Sequence, residues 1–289
     1  MPSITGLHVY PVKSCAGIAL HETGLGAQGL LWDRHWMVID GNGRFLSQRE
    51  YPVMATIRTA LSAQTLGLSV ESMPATLQLP LAVPRSTATV RASVWGDGVS
   101  ALDEGDAAAH WLSQVMQASV RLVRFDRAQP RYASKKWTGD ADAPVEFADG
   151  FPLLVTNEAS LAEVNRRLNL KGAPAIAMDR FRPNIVLNGL EAFDEDFIDT
   201  VSIGDNDEIL LRLVKPCSRC PITTIDQSRG QRDAAWPHEP LDTMAGWRAD
   251  ARVDGGLTFG QNAIVLAGQG RRLTVGAEAR CAWNFPESF

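Results

Sequence analysis

An α+β fold, mainly β, is what the sequence predicts, and three observations carry that prediction. Short runs rich in Val, Ile, Thr and aromatic residues, broken by Gly, Pro, Asn and Asp, fill the first hundred positions. Only three stretches, 106–117, 157–168 and 240–247, read as helix. A segment with neither period, 126–149, divides the chain into two halves.

In the first half Ile4 to Tyr10 reads as a strand, Pro11 to Cys15 as a turn, and Gly17 to Leu20 resumes. Asp33 to Asp40, with Arg34 inside it, is a strand ending in Gly41-Asn42-Gly43, a hairpin signal, with Phe45 to Gln48 returning. Further short strands at 56–62, 66–70 and 87–94 give the density of a β-barrel or a strongly bent sheet. A helix over 106–117 puts Ala107, Ala108, Trp111, Leu112 and Val115 on one stripe behind an acidic start, and Val120 to Phe125 is the next strand. The division expected is 1–125, a linker or lid at 126–149, and 150–289. Arg131, Lys135 and Lys136 make the middle segment either a basic rim or a solvated connection.

The second half opens on the buried strand 151–156. Asn157 or the spacing Ser160-x-x-Glu163 starts a helix with Leu161, Val164 and Leu168 inward. Arg180 to Leu187 is a basic approach to a strand, with Pro183 where its missing N–H is tolerated. A strand at 208–214 leads to Cys217-Ser218-Arg219-Cys220, and the β-branched run 222–225 reads as the strand that follows. Pro240 opens a short helix, strands at 263–266 and 273–275 come next, and AWNFPESF ends without a further domain.

Composition bounds the function. The 289 residues are 45% hydrophobic and 21% charged, ordinary for a globular protein, and the net charge of −5 excludes a global footprint for nucleic acid or an anionic membrane. An anion would need a local basic site. No apolar run approaches the roughly 18 residues of a membrane span, and the N-terminus lacks the build of a signal peptide, so a cytoplasmic protein is expected. The four scattered cysteines suit reduced thiols.

Cys217 and Cys220 admit several readings. A structural zinc site wants four ligands, and Cys15, Cys281 and His238 stand apart. A redox dithiol wants a helix N-terminus, whereas Pro221 and strand formers follow. Half-buried core thiols and a soft thiolate for a molybdenum-type centre both remain open. Lys13 with Ser14, Arg34, and Arg182 with Asn184 are the residue types a phosphate-bearing cofactor requires, and also those of an ordinary solvated surface.

Taken in order, Tyr10-Pro11-Val12-Lys13-Ser14-Cys15, Asp33-Arg34-His35-Trp36, Asn157-Glu158-Ala159-Ser160-Leu161, Phe181-Arg182-Pro183-Asn184-Ile185-Val186, Cys217-Ser218-Arg219-Cys220 and Phe259-Gly260-Gln261-Asn262 resemble the MOSC (molybdenum cofactor sulfurase C-terminal domain) superfamily. The resemblance is to the branch that includes the mitochondrial amidoxime-reducing component and its bacterial relatives. It implies an N-terminal β-barrel-like domain packed on a MOSC β-barrel domain with a few helices, and a molybdenum–pyranopterin (molybdopterin) cofactor. Cys220 would be the metal ligand and catalytic centre, and Cys217 its neighbour. Lys13, Ser14, Arg34, Arg182, Asn184 and Ser218 match positions that hold the pterin and its phosphate; Arg219, Asn262, Gly150 and Phe151 match more loosely.

The reaction implied is oxygen-atom transfer from an N-hydroxylated substrate, a hydroxylamine or amidoxime, leaving the amine or amidine and water. Two one-electron steps from a separate ferredoxin-, flavin- or cytochrome-type donor would reset the metal, since no iron–sulfur cysteine pattern follows. Asp226 is a candidate proton donor, and the irregular segments 126–149 and 231–256 would shape the substrate entrance. The superfamily is also associated with a pyridoxal-phosphate domain, for which there is no room, so cysteine desulfuration is not expected. The alternative is a carrier that binds the molybdenum cofactor or a sulfur without turnover.

Overall fold

The computed structural model describes residues 1–84, 87–204 and 208–285. Its main sheet runs, in spatial order, Ile18–Leu20, Ser3–Val9, Ile185–Asn188, Leu153–Asn157, Gly256–Ala267, Ile209–Ser218, Ile198–Ile203 and Ala279–Trp283, with Ala249–Asp250 beside the long central strand. Leu153–Asn157 and Ile185–Asn188 are parallel and the other pairs in this sheet antiparallel. The parallel pair requires a crossover, which the helix Glu158–Leu170 supplies. The sheet closes on itself: Ser3 bridges Glu278, and the N–H groups of Ile4 and Ala279 donate to the carbonyls of Ala277 and Pro2, each at 2.9 Å. The alternation along each strand fills the interior with Ile4, Leu7, Val155, Leu187, Leu211 and Val265.

The first strands therefore belong to the second-half barrel. Ser3–Val9 pairs with Ile185–Asn188, and Glu22–Gly26 pairs with Arg272–Thr274. A boundary drawn at 125 follows the chain, while the hydrogen bonds and the core join residues 3–30 to residues 150–283.

The rest of the first half is a four-stranded sheet, Trp36–Ile39, Arg121–Phe125, Asp97–Asp103 and Thr89–Val94, and a three-stranded sheet, Arg58–Leu61, Thr65–Val70 and Met73–Pro80. The helix Asp106–Met116 lays Ala108, Trp111, Leu112 and Met116 over them. Arg124, 1% exposed, ties the two sheets by donating to the carbonyls of Pro80 and Leu81 at 2.7 Å while paired with Glu104.

Several expectations are corrected. Residues 31–34 form a turn, and the strand begins only at Trp36, so Arg34 (φ 48°) is a turn residue; the turn lets Asp33 accept the Tyr10 N–H at 2.8 Å. The returning arm of the Gly41-Asn42-Gly43 hairpin shrinks to one bridge, Ile39 with Phe45. The run after Cys220 is a 3-10 turn, Pro221–Thr224, because the hydroxyls of Thr223 and Thr224 bond back to the carbonyls of Cys220 and Pro221. Ile209–Ser218 is longer than expected and carries Cys217 near its end.

The helix Glu158–Leu170 is capped by Asn157, while Ser160 is buried against Glu195 instead of forming a capping box. The strands Met73–Pro80, with prolines on an outer strand where they are tolerated, Asp97–Asp103 and Ala279–Trp283 carry no clear sequence signal. The tail beyond 285 lies outside the described residues.

Segment 126–149 is packed, not free. Arg131–Tyr132 pairs with Pro144–Val145 around the helix Lys135–Thr138, and Ala133, Ala143 and Val145 bury against Ile264. Among the described residues no helix is long and apolar enough to cross a membrane.

Candidate functional site

A cleft of about 830 Å³, counting its open mouth, lies where the two halves meet. It is lined by Lys13, Ser14, Arg34, Gly150, Phe151, Arg182, Asn184, Arg219, Cys220 and Asn262, together with Cys217, Arg49, Trp95 and Asp149. Of the residues matched to the cofactor from sequence, Ser218 alone is elsewhere: it is exposed, and its Oγ faces Gly256 across the strand pair, because the side chains of Cys217 and Ser218 point to opposite sides of the sheet.

The cradle is built from the turn after the first strand and the approach to Ile185–Asn188. Tyr10, 3% exposed, lies between two guanidinium groups, Arg34 at 4.3 Å and Arg182 at 4.2 Å from its ring centre. Asp33 is ion-paired with Arg34 from behind. Arg34 also donates to Asn184 Oδ1 and to the Arg182 carbonyl, both at 3.1 Å. Asn184 ties both halves, accepting the Leu154 N–H and donating to the His8 carbonyl at 3.1 Å each. Arg182 donates to the Cys15 carbonyl at 2.7 Å and to Gln227 Oε1 at 3.1 Å. Burial pushes its guanidinium down to about 10, so it stays charged at neutral pH.

Strain collects here. Ser14 (φ 69°), Arg34 (φ 48°) and Arg182 (φ 55°) are left-handed, and Arg182 precedes Pro183, a place where a residue ordinarily extends. Each such residue costs on the order of 1–3 kcal/mol and persists because its surroundings over-determine it. Gln48, fully buried, donates to the Ser14 carbonyl at 2.7 Å and exchanges amide hydrogen bonds with Gln227, locking the Ser14 turn to the loop after Cys220.

Lys13 is buried, donating to the Phe147 carbonyl at 2.8 Å and to Asp149 at 2.6 Å. Burial pushes its ammonium below the ordinary value, against the pull of Asp149. Burial alone would raise the Asp149 carboxyl, but Lys13, the Trp95 N–H and Arg34 together hold it well below the usual carboxylate range. The Asp149 side chain is 70% exposed, so water screens this pair and little stability follows from it.

At the other wall, Cys217 and Cys220 are free, half-buried thiols. Arg219 donates to Cys217 Sγ at 2.9 Å and to the Phe181 carbonyl at 2.6 Å, while its Nε is buried with no partner among the described residues. Phe181 stacks on Phe259 at 3.7 Å. Gly260 (φ 72°) then brings the strand within 2.7 Å of where its Cβ would meet the Val155 carbonyl and Thr156, which explains the glycine before Gln261 and Asn262.

Other expectations fall differently. Arg131 is no rim: it donates to the carbonyls of Glu146, Ala148 and Asp149 and braces the lip from behind. Lys135 pairs with Asp142, and Lys136 sits over Trp137. Asp226 does not line the cleft; burial opposes its ionisation, yet Ser228, the Arg229 N–H and Arg180 hold its carboxyl below the ordinary range, so it is a turn-capping anion and an unsuitable proton donor. Nothing from 231–256 lines the cleft, and from 126–149 only Ala148 and Asp149 do. Tyr10 and Asp33 stood inside the motifs without being singled out. Arg49, Trp95, Gln48 and Gln227 had no sequence signal, being joined only by the fold.

Comparison with known proteins matches two family models, a MOSC N-terminal beta barrel domain over residues 1–119 and a MOSC domain over 142–280. Mitochondrial amidoxime-reducing component 1 of Homo sapiens is 34% identical over 255 residues, covering 85% of this chain and 72% of that one. Mitochondrial amidoxime reducing component 2 of Rattus norvegicus is 32% identical over 255 residues, with coverages of 85% and 72%. Molybdenum cofactor sulfurase of Homo sapiens is 32% identical over 246 residues, 80% of this chain but 27% of that one. Among solved structures, the YUAD protein from Bacillus subtilis covers 96% of this chain and 94% of its own at 12% identity and a TM-score of 0.43.

Proposed function

The chain belongs to the MOSC family, with an N-terminal MOSC β-barrel domain ahead of a MOSC domain, and on that premise we propose that it is a molybdenum-cofactor-dependent reductase of N-hydroxylated compounds. What supports the reading above all is one convergence: a half-buried thiol, Cys220, shares a cleft with five cationic side chains, Lys13, Arg34, Arg49, Arg182 and Arg219, against one carboxylate, Asp149.

The donor set suits a phosphate-bearing metal cofactor. A soft thiolate is the ligand type molybdenum accepts, and fork donors with a buried lysine are what a phosphate dianion needs when it leaves water. The orphaned Arg219 Nε and the left-handed turn at Ser14 are features an empty scaffold has no reason to keep. Cys220 would ligate the metal; Lys13, Ser14, Arg34, Arg182 and Asn184 would hold the phosphate and pterin, with Arg219, Asn262, Gly150 and Phe151 around them. Gly150 and Phe151 bring no hydroxyl, so their part would be backbone and contact surface. Ser218 is left out of the contact set by its orientation.

When bound, the cofactor supplies two-electron removal of oxygen from an N–O bond. The chain's own residues do the rest. The Cys220 carbonyl accepts from the N–H and hydroxyl of Thr223 at 3.2 and 3.1 Å, fixing the turn that presents the thiol. The Gln48–Gln227 pair keeps Arg182 and Ser14 in register with that turn. The open mouth admits substrate and the two protons that water formation consumes. The reductant is a separate ferredoxin-, flavin- or cytochrome-type protein, and a cytoplasmic site of action completes the proposal.

The test measures molybdenum per chain after expression in a cofactor-competent host, and reduction of a simple hydroxylamine by dithionite-reduced viologen, for wild type and Cys220→Ser. Near-stoichiometric metal with turnover that the variant loses supports the reductase. Metal without turnover points to a cofactor carrier instead, and metal-free wild type sinks both.

A further inference from the structure

Arg49 and Trp95 line the cleft outside the set Lys13, Ser14, Arg34, Arg182 and Asn184 that would hold the phosphate and pterin. Trp95 is 51% exposed, and its backbone is left-handed (φ 56°) in the two-residue connection between Thr89–Val94 and Asp97–Asp103. A bulky aromatic residue is a poor choice for such a place, and strain of this kind collects at ligand sites. The indole is nonetheless held: its N–H donates to Asp149 at 3.1 Å, and Phe45 packs edge-on at 5.1 Å. The Arg49 guanidinium lies over the ring, 4.3 Å from its centre.

Arg49 donates to Ser47 Oγ, and no carboxylate among the described residues pairs with it. The charges leave it spare. Lys13 is taken by Asp149, Arg34 is backed by Asp33, and Arg182 flanks the same tyrosine as Arg34. A phosphate monoester brings a charge of about −2. Arg219 pairs with no carboxylate among the described residues, so the four cations Lys13, Arg34, Arg182 and Arg219 less Asp149 and Asp33 leave +2, which meets it without calling on the lip.

Resting on the reductase reading above, we infer that Arg49 and Trp95 form a substrate platform selecting planar N-hydroxylated compounds that carry an anionic group, a carboxylate or phosphate. The guanidinium takes the anion as a charge-assisted fork, and the indole gives the ring a stacking surface at the mouth.

Benzamidoxime and 4-carboxybenzamidoxime separate the outcomes. In viologen-driven turnover the wild-type holoenzyme has the lower KM for the carboxylated compound, and Arg49→Gln lowers that preference on the order of tenfold. Trp95→Leu weakens the binding of both. Calorimetric binding of the two compounds to oxidised holoenzyme, with no reductant present, reads the same preference without chemistry. If the wild type binds the acid better through Arg49 but turns over neither compound, the reductase reading falls and the platform stands. Equal affinity for the two compounds in the wild type, or an unchanged preference in Arg49→Gln, overturns the platform. So does loss of molybdenum from Arg49→Gln, which makes Arg49 a cofactor residue.

Discussion

Glu195 carries a pH prediction whose size the structure sets. It is 0% exposed; Oε2 accepts the Ser160 hydroxyl at 2.7 Å, and Oε1 has no partner among the described residues. The neighbouring Asp196 is paired with Arg248 at 2.8 Å and accepts the Gln261 amide at 2.7 Å. Burial first, and the charge of Asp196 second, push the Glu195 carboxyl up to about 7 from an ordinary 4.5. The folded chain thus holds a proton that the unfolded chain releases earlier. The stability this gives is complete below pH 4.5 and is lost as pH rises through about 7. At about 1.4 kcal/mol per pKa of displacement the loss is on the order of 3 kcal/mol, or roughly 5–10 °C in Tm for a chain this long.

Glu195→Gln copies the protonated acid and removes the titration. Urea or thermal unfolding of both proteins between pH 4.5 and 8 should show wild type losing about 3 kcal/mol relative to the variant, with the difference flat above pH 8. A difference flat across the whole range, or rising with pH, refutes the reasoning. Gln261, on the bond to Asp196, precedes Asn262 in the cleft, so any loosening above neutral pH begins one residue from the site.

Arg182→Met should strip the cofactor while leaving a folded chain: it loses two hydrogen bonds of about 1 kcal/mol each but relieves the repulsion with Arg34, so molybdenum per chain falls much further than Tm. Arg124→Leu leaves Glu104 buried without its partner, and urea unfolding should show a loss of about 3–5 kcal/mol. Gly260→Ala places a Cβ 2.7 Å from the Val155 carbonyl at a left-handed φ, and calorimetry should register destabilisation of about 1–3 kcal/mol.

Strand density, the 106–117 and 157–168 helices and the family motifs were legible because each is written locally, in alternation, stripe, cap or short run. The turn at Arg34 was not, because the Asp33 bond that makes it needs Tyr10, 23 residues away. Strand propensity at 222–225 lost to two threonine hydroxyls bonding back to the chain. Ser218 sits between two cleft-lining residues, Cys217 and Arg219, and the period of two in a strand turned it to the other face. The brace made by Arg131, the Gln48–Gln227 lock and the lip at Arg49 and Trp95 join residues far apart in sequence, where spacing carries no signal.

The pairing of Ser3–Val9 with Ile185–Asn188 has a biosynthetic consequence. Lys13 and Ser14 are made well before the residues they work with: His8 meets Asn184 only 176 positions later. At about 5–20 residues per second that is a wait on the order of ten to forty seconds, during which the first strand has Ile18–Leu20 on one edge and its other edge open. Cys220, Gln227 and Asn262 arrive later still. Half a cradle offers an anion no enclosure, so loading waits for the second half, and a ribosome stalled near residue 150 would expose a strand edge whose partner, Ile185–Asn188, has not yet been made.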